Sequence, residues 1–159
     1  MITETALVAT KLHGIIAAVE GAGLKIGVVT GAGSGNYYQA LKGGAITEVQ
    51  GGGGTLYCQV YEGGLGHPAP VPHKRSIFLM AQVVSTAAQS AENRILADAG
   101  FKTTNPMGDH LPRIVSHQGL KVNALHAEHT LIDLEPGAPV MTLGERIIMQ
   151  PFYSDSTLY

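Results

Sequence analysis

The chain has 159 residues, which is the size of one domain or slightly more. Ten Lys and Arg against twelve Asp and Glu exclude a general nucleic-acid binder, and the single cysteine, Cys58, excludes an internal disulfide or a cysteine-based zinc site. No stretch approaches the roughly 20 apolar residues of a membrane span and residues 1–20 do not form a signal peptide, so we expect a cytoplasmic protein without a membrane partner.

The first third of the chain alternates helical and strand-like patterns. Apolar residues at helical spacing predict a helix over residues 5–20, and the apolar run 24–29 has the length of a strand. A glycine-rich turn at 30–35 precedes a predicted short helix at 36–42 and a further strand at 46–50. This order of helix, strand, loop, helix and strand is typical of a parallel α/β sheet or barrel.

After residue 50 the pattern changes to short strands separated by turns. Four consecutive glycines at 51–54 precede a β-prone stretch at 55–61, and residues 63–74 are too rich in proline and glycine for regular structure. Further strands are predicted at 77–86, 93–97, 114–116, 122–126, 130–134 and 147–150. The fold class is therefore mixed α/β and β: the tail end of a (β/α) barrel over residues 1–62, followed by a mostly antiparallel, β-barrel-like domain over residues 63–159.

The composition predicts a surface with fewer charged groups than that of an ordinary solvent-exposed domain. Charged residues make up only 14% of the chain, against about 25% in ordinary globular domains, and there are 21 glycines. A large obligate interface, membership in a larger fold, or a glycine-rich β domain with a neutral surface would each explain this. Because two strands cannot close an α/β sheet, we expect a fragment of a larger fold. In line with a large obligate interface, we also expect a homodimer or larger homo-oligomer.

The strongest local chemistry lies in the glycine loop of residues 30–37. Glycines let the backbone approach an anion closely, the first amides of the following helix point at it, and Ser34 and Asn36 can add side-chain donors. The alternative is a tight turn whose glycines only satisfy backbone angles. The spacing does not favour a nicotinamide cofactor, because Gly31, Gly33 and Gly35 form G-x-G-x-G rather than G-x-G-x-x-G.

Two further clusters carry titratable groups. His126 and His129 flank Ala127-Glu128 in a segment that reads as strand, where the two imidazoles would face opposite sides, so one histidine can be a ligand or an acid/base group, or merely solvated. Tyr153 and Asp155 lie two apart and would share one face of a strand, where they can hold a cation or orient a water. The alternative for this pair is a turn stabilised by the aspartate.

These pieces together resemble one family, the D-threonine aldolase and D-serine dehydratase-like enzymes. The glycine loop is similar to the family's phosphate loop, and Glu48-Val49-Gln50 to its E-[IV]-Q strand. The remaining similar motifs are R-x-x-x-D-A-G-x-K at 94–102, E-H at 128–129, G-[DE]-R-[VI] at 144–147 and the metal motif at 151–157. The motifs agree in order and spacing from about residue 5 to 159, and they imply an alanine-racemase-like fold.

The resemblance implies a pyridoxal-phosphate-dependent lyase, an aldolase or a dehydratase, that acts on the small-molecule substrate class of D-β-hydroxy-amino acids. It assigns His129 as acid/base group or metal ligand and Asp155 as a metal carboxylate. It assigns the cofactor's phosphate to Gly33, Ser34, Gly35, Asn36 and Tyr37.

Two departures from the family pattern bear on activity. The lysine that the family joins to its cofactor lies upstream of anything in this chain, so we expect the chain alone to be inactive. Tyr153 stands where the family has histidine, and because a phenol with a pKa near 10 is a weak ligand at neutral pH, divalent-metal binding is in doubt. The alternative function is a non-catalytic phosphate-ligand-binding or interaction domain.

Overall fold

The computed structural model describes residues 2–63, 73–86 and 93–158. The chain divides into two compact units, each with its own internal contacts. The first unit comprises Met1–Thr55 and Tyr61–Lys74, and the second comprises Leu56–Val60 and Arg75–Tyr159. The predicted boundary between residues 62 and 63 stays a prediction.

The first unit contains two helices and one short pair of parallel strands. Helix α1 (Ile2–Gly21) is followed by β1 (Thr30–Gly31), α2 (Tyr37–Lys42) and β2 (Glu48–Val49). The strands pair in parallel with Thr30 opposite Glu48. Because the carboxyl ends of adjacent parallel strands lie at the same edge, the segments that follow β1 and β2 are brought together there.

The apolar run at residues 24–29 is not a strand, contrary to the prediction. Pairing begins only at Thr30, and Leu24 and Val28 remain 63% and 57% exposed. A strand needs a neighbour to accept its backbone hydrogen bonds, and β2, the only described strand beside this part of the chain, pairs with Thr30–Gly31 and not with residues 24–29. The strand predicted at residues 46–50 is likewise shorter than expected and comprises only Glu48–Val49, the two residues that pair with β1.

The second unit is a curled, antiparallel six-stranded sheet. Its strands are β3 (Leu79–Ser85), β4 (Arg94–Ala97), β5 (Arg113–Ile114), β6 (Leu120–Leu125), β7 (Thr130–Leu134) and β8 (Arg146–Gln150). The spatial order is β5-β8-β3-β4-β7-β6, and every pair is antiparallel. The two ends of this order, β5 and β6, approach one another, so the sheet curls toward a barrel. The expected antiparallel β domain is confirmed.

The core of this sheet follows from alternation along the strands. In β3 the side chains of Ala81 and Val83 are buried whereas Met80, Gln82 and Val84 are exposed, as period-two alternation requires. Fully buried aliphatic side chains from four strands meet inside the sheet: Val83, Ile95, Ile132, Ile147 and Met149. The second unit therefore carries its own hydrophobic core.

Two strand-like expectations in the remaining segments are wrong. Residues 55–61 form no strand: Gln59 and Val60 each donate one backbone bond to residues 151–152, and both already belong to a short 3-10 helix, Gln59–Glu62. Residues 126–129 are the turn of the β6–β7 hairpin and not a strand. Residues 154–157 form a turn, which is the alternative given for Tyr153 and Asp155. Among the residues that the structure describes, no helix is long and apolar enough to cross a membrane.

Candidate functional site

Two glycine-rich loops meet at the carboxyl edge of β1 and β2. The first loop comprises residues 32–36 and the second loop residues 50–54, and both belong to the first unit. Together with residues beside them they line an open cavity of about 280 Å³, which we call the loop cavity. Its lining is formed by Ser34, Tyr37, Val49, Gly51, Gly54, Thr55 and His73.

The first loop is closed by its own hydrogen bonds. The backbone N–H of Gly33 donates to Oδ1 of Asn36 (2.9 Å), and the N–H of Tyr37 donates to the carbonyl of Gly33 (3.0 Å). Ala32 has a φ of +66°, and its carbonyl accepts a bond from the N–H of Gln50 (2.9 Å), which joins the strained turn to the second loop. Asn36 therefore shapes the loop, and its side-chain oxygen is occupied within it.

Ser34 links the two loops. Its hydroxyl oxygen accepts a hydrogen bond from the backbone N–H of Gly53 (2.6 Å), which leaves the hydroxyl proton able to donate to a ligand. Position 53 requires glycine in this arrangement, because a Cβ there would lie 2.1 Å from the hydroxyl oxygen of Tyr61. The run of glycines at 51–54 thus lets the second loop lie close to both Ser34 and Tyr61.

Tyr37 and His73 form a hydrogen-bonded pair on the wall of the loop cavity. The phenolic oxygen of Tyr37 lies 2.8 Å from Nε2 of His73, and both side chains are half-buried. Sequence reasoning placed Tyr37 in the phosphate site but missed His73. The only signal in the sequence was an imidazole within the irregular segment 63–74, and nothing there indicated which loop it would contact.

The donors of the loop cavity fit a phosphate group. Ser34 and Tyr37 present hydroxyls and His73 an imidazole, and none of the described residues that line the cavity has a carboxylate. Within the described ranges, the backbone N–H of Ser34, which lines the cavity, and that of Gly35, the next residue of the loop, have no recorded hydrogen-bond partner. Backbone amides and hydroxyls are the donors with which proteins bind oxyanions.

His129 lies in the second unit, in the tight turn that joins β6 to β7. The N–H of His126 donates to the carbonyl of His129 (2.7 Å), and both side chains are exposed. Beside them the ammonium of Lys102 pairs with the carboxylate of Glu128. That hydrogen bond, more than the charge of Glu128, raises the pKa of Lys102, so the lysine is a cation beside the turn.

The segment 98–102 explains why the hairpin turn adopts this shape. Phe101 and Lys102 donate backbone bonds to the carbonyls of His126 and Ala127 (2.8 and 3.2 Å). A Cβ on Gly100 would lie 2.2 Å from the carbonyl oxygen of His126 and 2.6 Å from the amide nitrogen of His129. Two motifs that are distant in sequence, D-A-G and E-H, are therefore one packed element.

Asp155 lies in the turn at 154–157, where its carboxylate is already hydrogen-bonded. The phenol of Tyr153 donates to Oδ2 (2.7 Å) and the hydroxyl of Ser154 donates to Oδ1 (3.1 Å). The N–H of Ser154 in turn donates to the sulfur of buried Cys58 (3.2 Å). A carboxylate satisfied by two hydroxyls, with a phenol as its neighbour, does not fit a transition-metal site.

The predicted site residues fall into separate groups. Gly33, Ser34, Gly35, Asn36 and Tyr37 share the first loop and the start of α2. His129 and Asp155 lie in the second unit, and in the described part of the chain no recorded contact joins them. No group of three or more His, Cys, Asp and Glu side chains that could hold a metal ion occurs within the residues described.

The family is shown by the second unit. The family model described as "Putative serine dehydratase domain" matches residues 76–159. This match covers more than half of the 159 residues, and the chain belongs to this family.

Among curated proteins, a D-threonine aldolase from Arthrobacter sp is 32% identical over 136 residues, which is 85% of this chain and 34% of the relative. The chain thus spans about a third of the length of that relative.

Solved structures agree with this assignment. The D-threonine aldolase from Filomicrobium marinum matches 98% of this chain and 40% of its own, with a TM-score of 0.83 and 25% identity. The D-threo-3-hydroxyaspartate dehydratase from Delftia sp. HT23 matches 99% of this chain and 46% of its own, with a TM-score of 0.73 and 18% identity, and shows the fold alone. The predicted fold class and the resemblance to D-threonine aldolase and dehydratase-like enzymes are confirmed.

Proposed function

We propose that this chain carries the phosphate-binding loops and the β domain of a pyridoxal-phosphate-dependent lyase that acts on D-β-hydroxy-amino acids. The loop cavity carries the proposal, because it combines hydroxyl, imidazole and amide donors without a carboxylate. The similarity to a D-threonine aldolase supports the reaction class. Aldol cleavage and dehydration remain the two alternatives within that class.

In this proposal the first loop holds and orients the cofactor through its phosphate. Pyridoxal phosphate, when bound, supplies the electron sink for the bond that breaks at the amino acid's Cα. Ser34 donates its hydroxyl proton while its oxygen keeps the bond from Gly53, so binding does not require the loops to separate. Gly33, Gly35 and Asn36 keep the loop in the conformation that exposes backbone N–H groups, and Tyr37 adds a second hydroxyl.

The second unit supplies the acid/base group in the proposal. The imidazole of His129 is exposed at the hairpin turn, and a histidine can accept or release a proton near neutral pH. The packing of Gly100 against the turn holds the backbone on which His129 lies. The cytoplasmic location and the homo-oligomeric state stay predictions from the sequence.

Calorimetric titration of the chain with inorganic phosphate and with pyridoxal phosphate tests the phosphate site. Ser34→Ala removes one hydrogen bond, so we expect its affinity for both ligands to fall by roughly fivefold, or about 1 kcal/mol. Ser116→Ala is the matched control, because the Ser116 hydroxyl also accepts a backbone bond, from the N–H of Ile148 (2.9 Å), but in the second unit. Equal losses in both variants, or no binding by the unmodified chain, would contradict the site.

A second candidate function is a non-catalytic domain that binds a phosphate ligand. The hydrogen-bonded Tyr153–Asp155 pair favours it, because it occupies the position at which the resemblance implies a metal motif. Neither function predicts a lysine adduct in this chain, because the resemblance places the cofactor lysine upstream of it, so calorimetric titration separates the two functions. Tighter binding of pyridoxal phosphate than of inorganic phosphate supports the lyase, whereas equal affinity for the two supports a general phosphate-binding domain.

A further inference from the structure

His73 contributes an imidazole to the loop cavity from outside both glycine loops. Neither the glycine spacing nor the resemblance assigns this residue a role at the phosphate site. The second loop accommodates the ring through Gly54, where a Cβ would lie 3.0 Å from Nε2 of His73. A Cβ at position 54 would therefore require the imidazole to shift by a few tenths of an ångström.

The bond between His73 and Tyr37 has two possible directions with different consequences for an anion. When the phenol donates its proton to Nε2, the lone pairs of the phenolic oxygen remain, and they repel a phosphate. When Nε2–H donates to the phenolic oxygen, the Tyr37 proton is free to point into the cavity. An anion in the loop cavity therefore selects the second direction.

We propose that His73 is a positioning residue for phosphate binding, and that it acts by turning the hydroxyl proton of Tyr37 toward the anion. The proposal rests on the proposed function, because the anion it serves is the phosphate of the cofactor. The rings of Tyr37 and His73 lie with centroids 5.8 Å apart and are tilted by 44°, so the imidazole approaches the phenol at its oxygen rather than by stacking on its face.

The role of His73 can be measured with three ligands that differ in their phosphate. The full chain and its variants are titrated with inorganic phosphate, pyridoxal phosphate and pyridoxal. We expect His73→Phe to weaken the two phosphate ligands by up to about tenfold, because the Tyr37 hydroxyl loses the N–H donor that directs its proton toward the phosphate, and to leave pyridoxal unchanged. His73→Gln keeps an N–H donor and is expected to recover much of the phosphate affinity. His126→Phe, at an exposed position of the second unit, is the matched control.

A double-mutant cycle with Tyr37→Phe tests whether His73 acts through the phenol. If it does, the double variant His73→Phe/Tyr37→Phe binds phosphate no more weakly than Tyr37→Phe alone. Additive losses would overturn the positioning role, as would a His73→Phe variant that binds phosphate normally. In the latter case, phosphate binding by the unmodified chain would still support the proposed function.

The remaining outcomes are also decisive. No phosphate-dependent binding by the unmodified chain overturns both this inference and the proposed function. If His73→Phe lowers the melting temperature without ligand, its loss of phosphate affinity can reflect lost stability, and the phosphate affinity of His73→Gln then tests the role of His73. Phosphate affinity recovered in His73→Gln supports the role of the N–H donor, and affinity that stays low in a folded His73→Gln overturns it.

Discussion

The two units of this chain bury their apolar side chains to very different extents. In the second unit, Ile132, Ile147 and Met149 are completely inaccessible to solvent and belong to one continuous cluster. In the first unit, Leu24 and Val28 are more than half exposed, and its paired strands contain only two residues each.

This difference indicates that the units are stabilised by different interactions. The second unit has the core that a hydrophobic driving force requires, and its hairpins follow from that core. The loop cavity belongs to the first unit, where the Ser34–Gly53 and Tyr37–His73 hydrogen bonds connect the loops and the cavity wall. We therefore expect stability to be controlled mainly from the second unit and phosphate affinity from the first.

The largest expected effect comes from Gly100→Val in the second unit. A Cβ at this position would lie 2.2 Å from a backbone oxygen that cannot move without opening the β6–β7 turn. We expect the free energy of unfolding to fall by about 4 kcal/mol or more, measured by urea denaturation. Gly27→Val is the control, because a Cβ at Gly27 meets nothing within 4 Å. Similar losses in the two variants would refute the packed hairpin.

A pair of isoleucine substitutions, one in each unit, compares their contributions to stability directly. Ile132→Ala removes a completely buried side chain and is expected to cost about 3 kcal/mol of unfolding free energy. Ile15→Ala, at a helix position that is 59% exposed, is expected to change it by less than about 0.5 kcal/mol. Thermal unfolding of both variants measures the contrast. A loss at Ile15 as large as that at Ile132 would mean that α1 is buried in solution, for example against another copy of the chain.

Tyr153→His tests whether the turn at 154–157 can be made into a metal site. We expect zinc affinity to rise by at least tenfold, about 1.4 kcal/mol. The reason is that an imidazole, which is a zinc ligand, replaces a phenol whose hydroxyl is hydrogen-bonded to the Asp155 carboxylate. Calorimetry on this variant and on Tyr153→Phe, which frees Oδ2 of Asp155 without adding a ligand, measures the gain. His129→Ala in the Tyr153→His background is expected to remove part of it.

Tight zinc binding by the unmodified chain would contradict this view of the turn. If Asp155→Asn removed that binding, the carboxylate would be a ligand despite its two hydrogen bonds. If Asp155→Asn left it intact, the ligands would lie elsewhere, for example at His73 or at His67, which is outside the described residues.

The smallest expected effect is a pH dependence at the β4–β7 pair. The hydrogen bond from Arg94 (Nε–Oδ1 2.6 Å) lowers the pKa of Asp133, and Asn123 donates to its other oxygen. Because the folded-state pKa is depressed, this stabilisation is present above about pH 4 and is lost as the pH falls through the folded-state pKa. Asp133→Asn is expected to be less stable than the unmodified chain at pH 7, by under about 1 kcal/mol, with the difference shrinking below pH 4.

Melting temperatures of Asp133→Asn between pH 2 and 7 measure this dependence. Asp109→Asn, which removes an exposed carboxylate of the same unit, is the control. A difference between Asp133→Asn and the unmodified chain that stays constant across this range would contradict the ionic contribution.

The strands of the second unit were predictable because their side chains alternate. The prediction for residues 130–134 matches the observed strand, and residues 147–150 fall within Arg146–Gln150. The failures at residues 24–29 and 55–61 have one cause in common, which is that β-prone composition does not provide a partner strand. Residues 24–29 and 55–61 have apolar or β-prone side chains, yet they form no strand in the described part of the chain.

The candidate site was predictable only where its residues are neighbours in sequence. The amino-acid sequence alone determined the glycine loop with Ser34 and Tyr37, the alternation of the β domain and the resemblance to a family, because these depend on local spacing. Only the tertiary structure decided that Gly53 contacts Ser34, that His73 contacts Tyr37 and that Gly100 packs under the His129 turn. Such contacts join positions from 19 to 36 residues apart, and they form because parallel strand ends and a closed hairpin bring distant backbone segments to the same place.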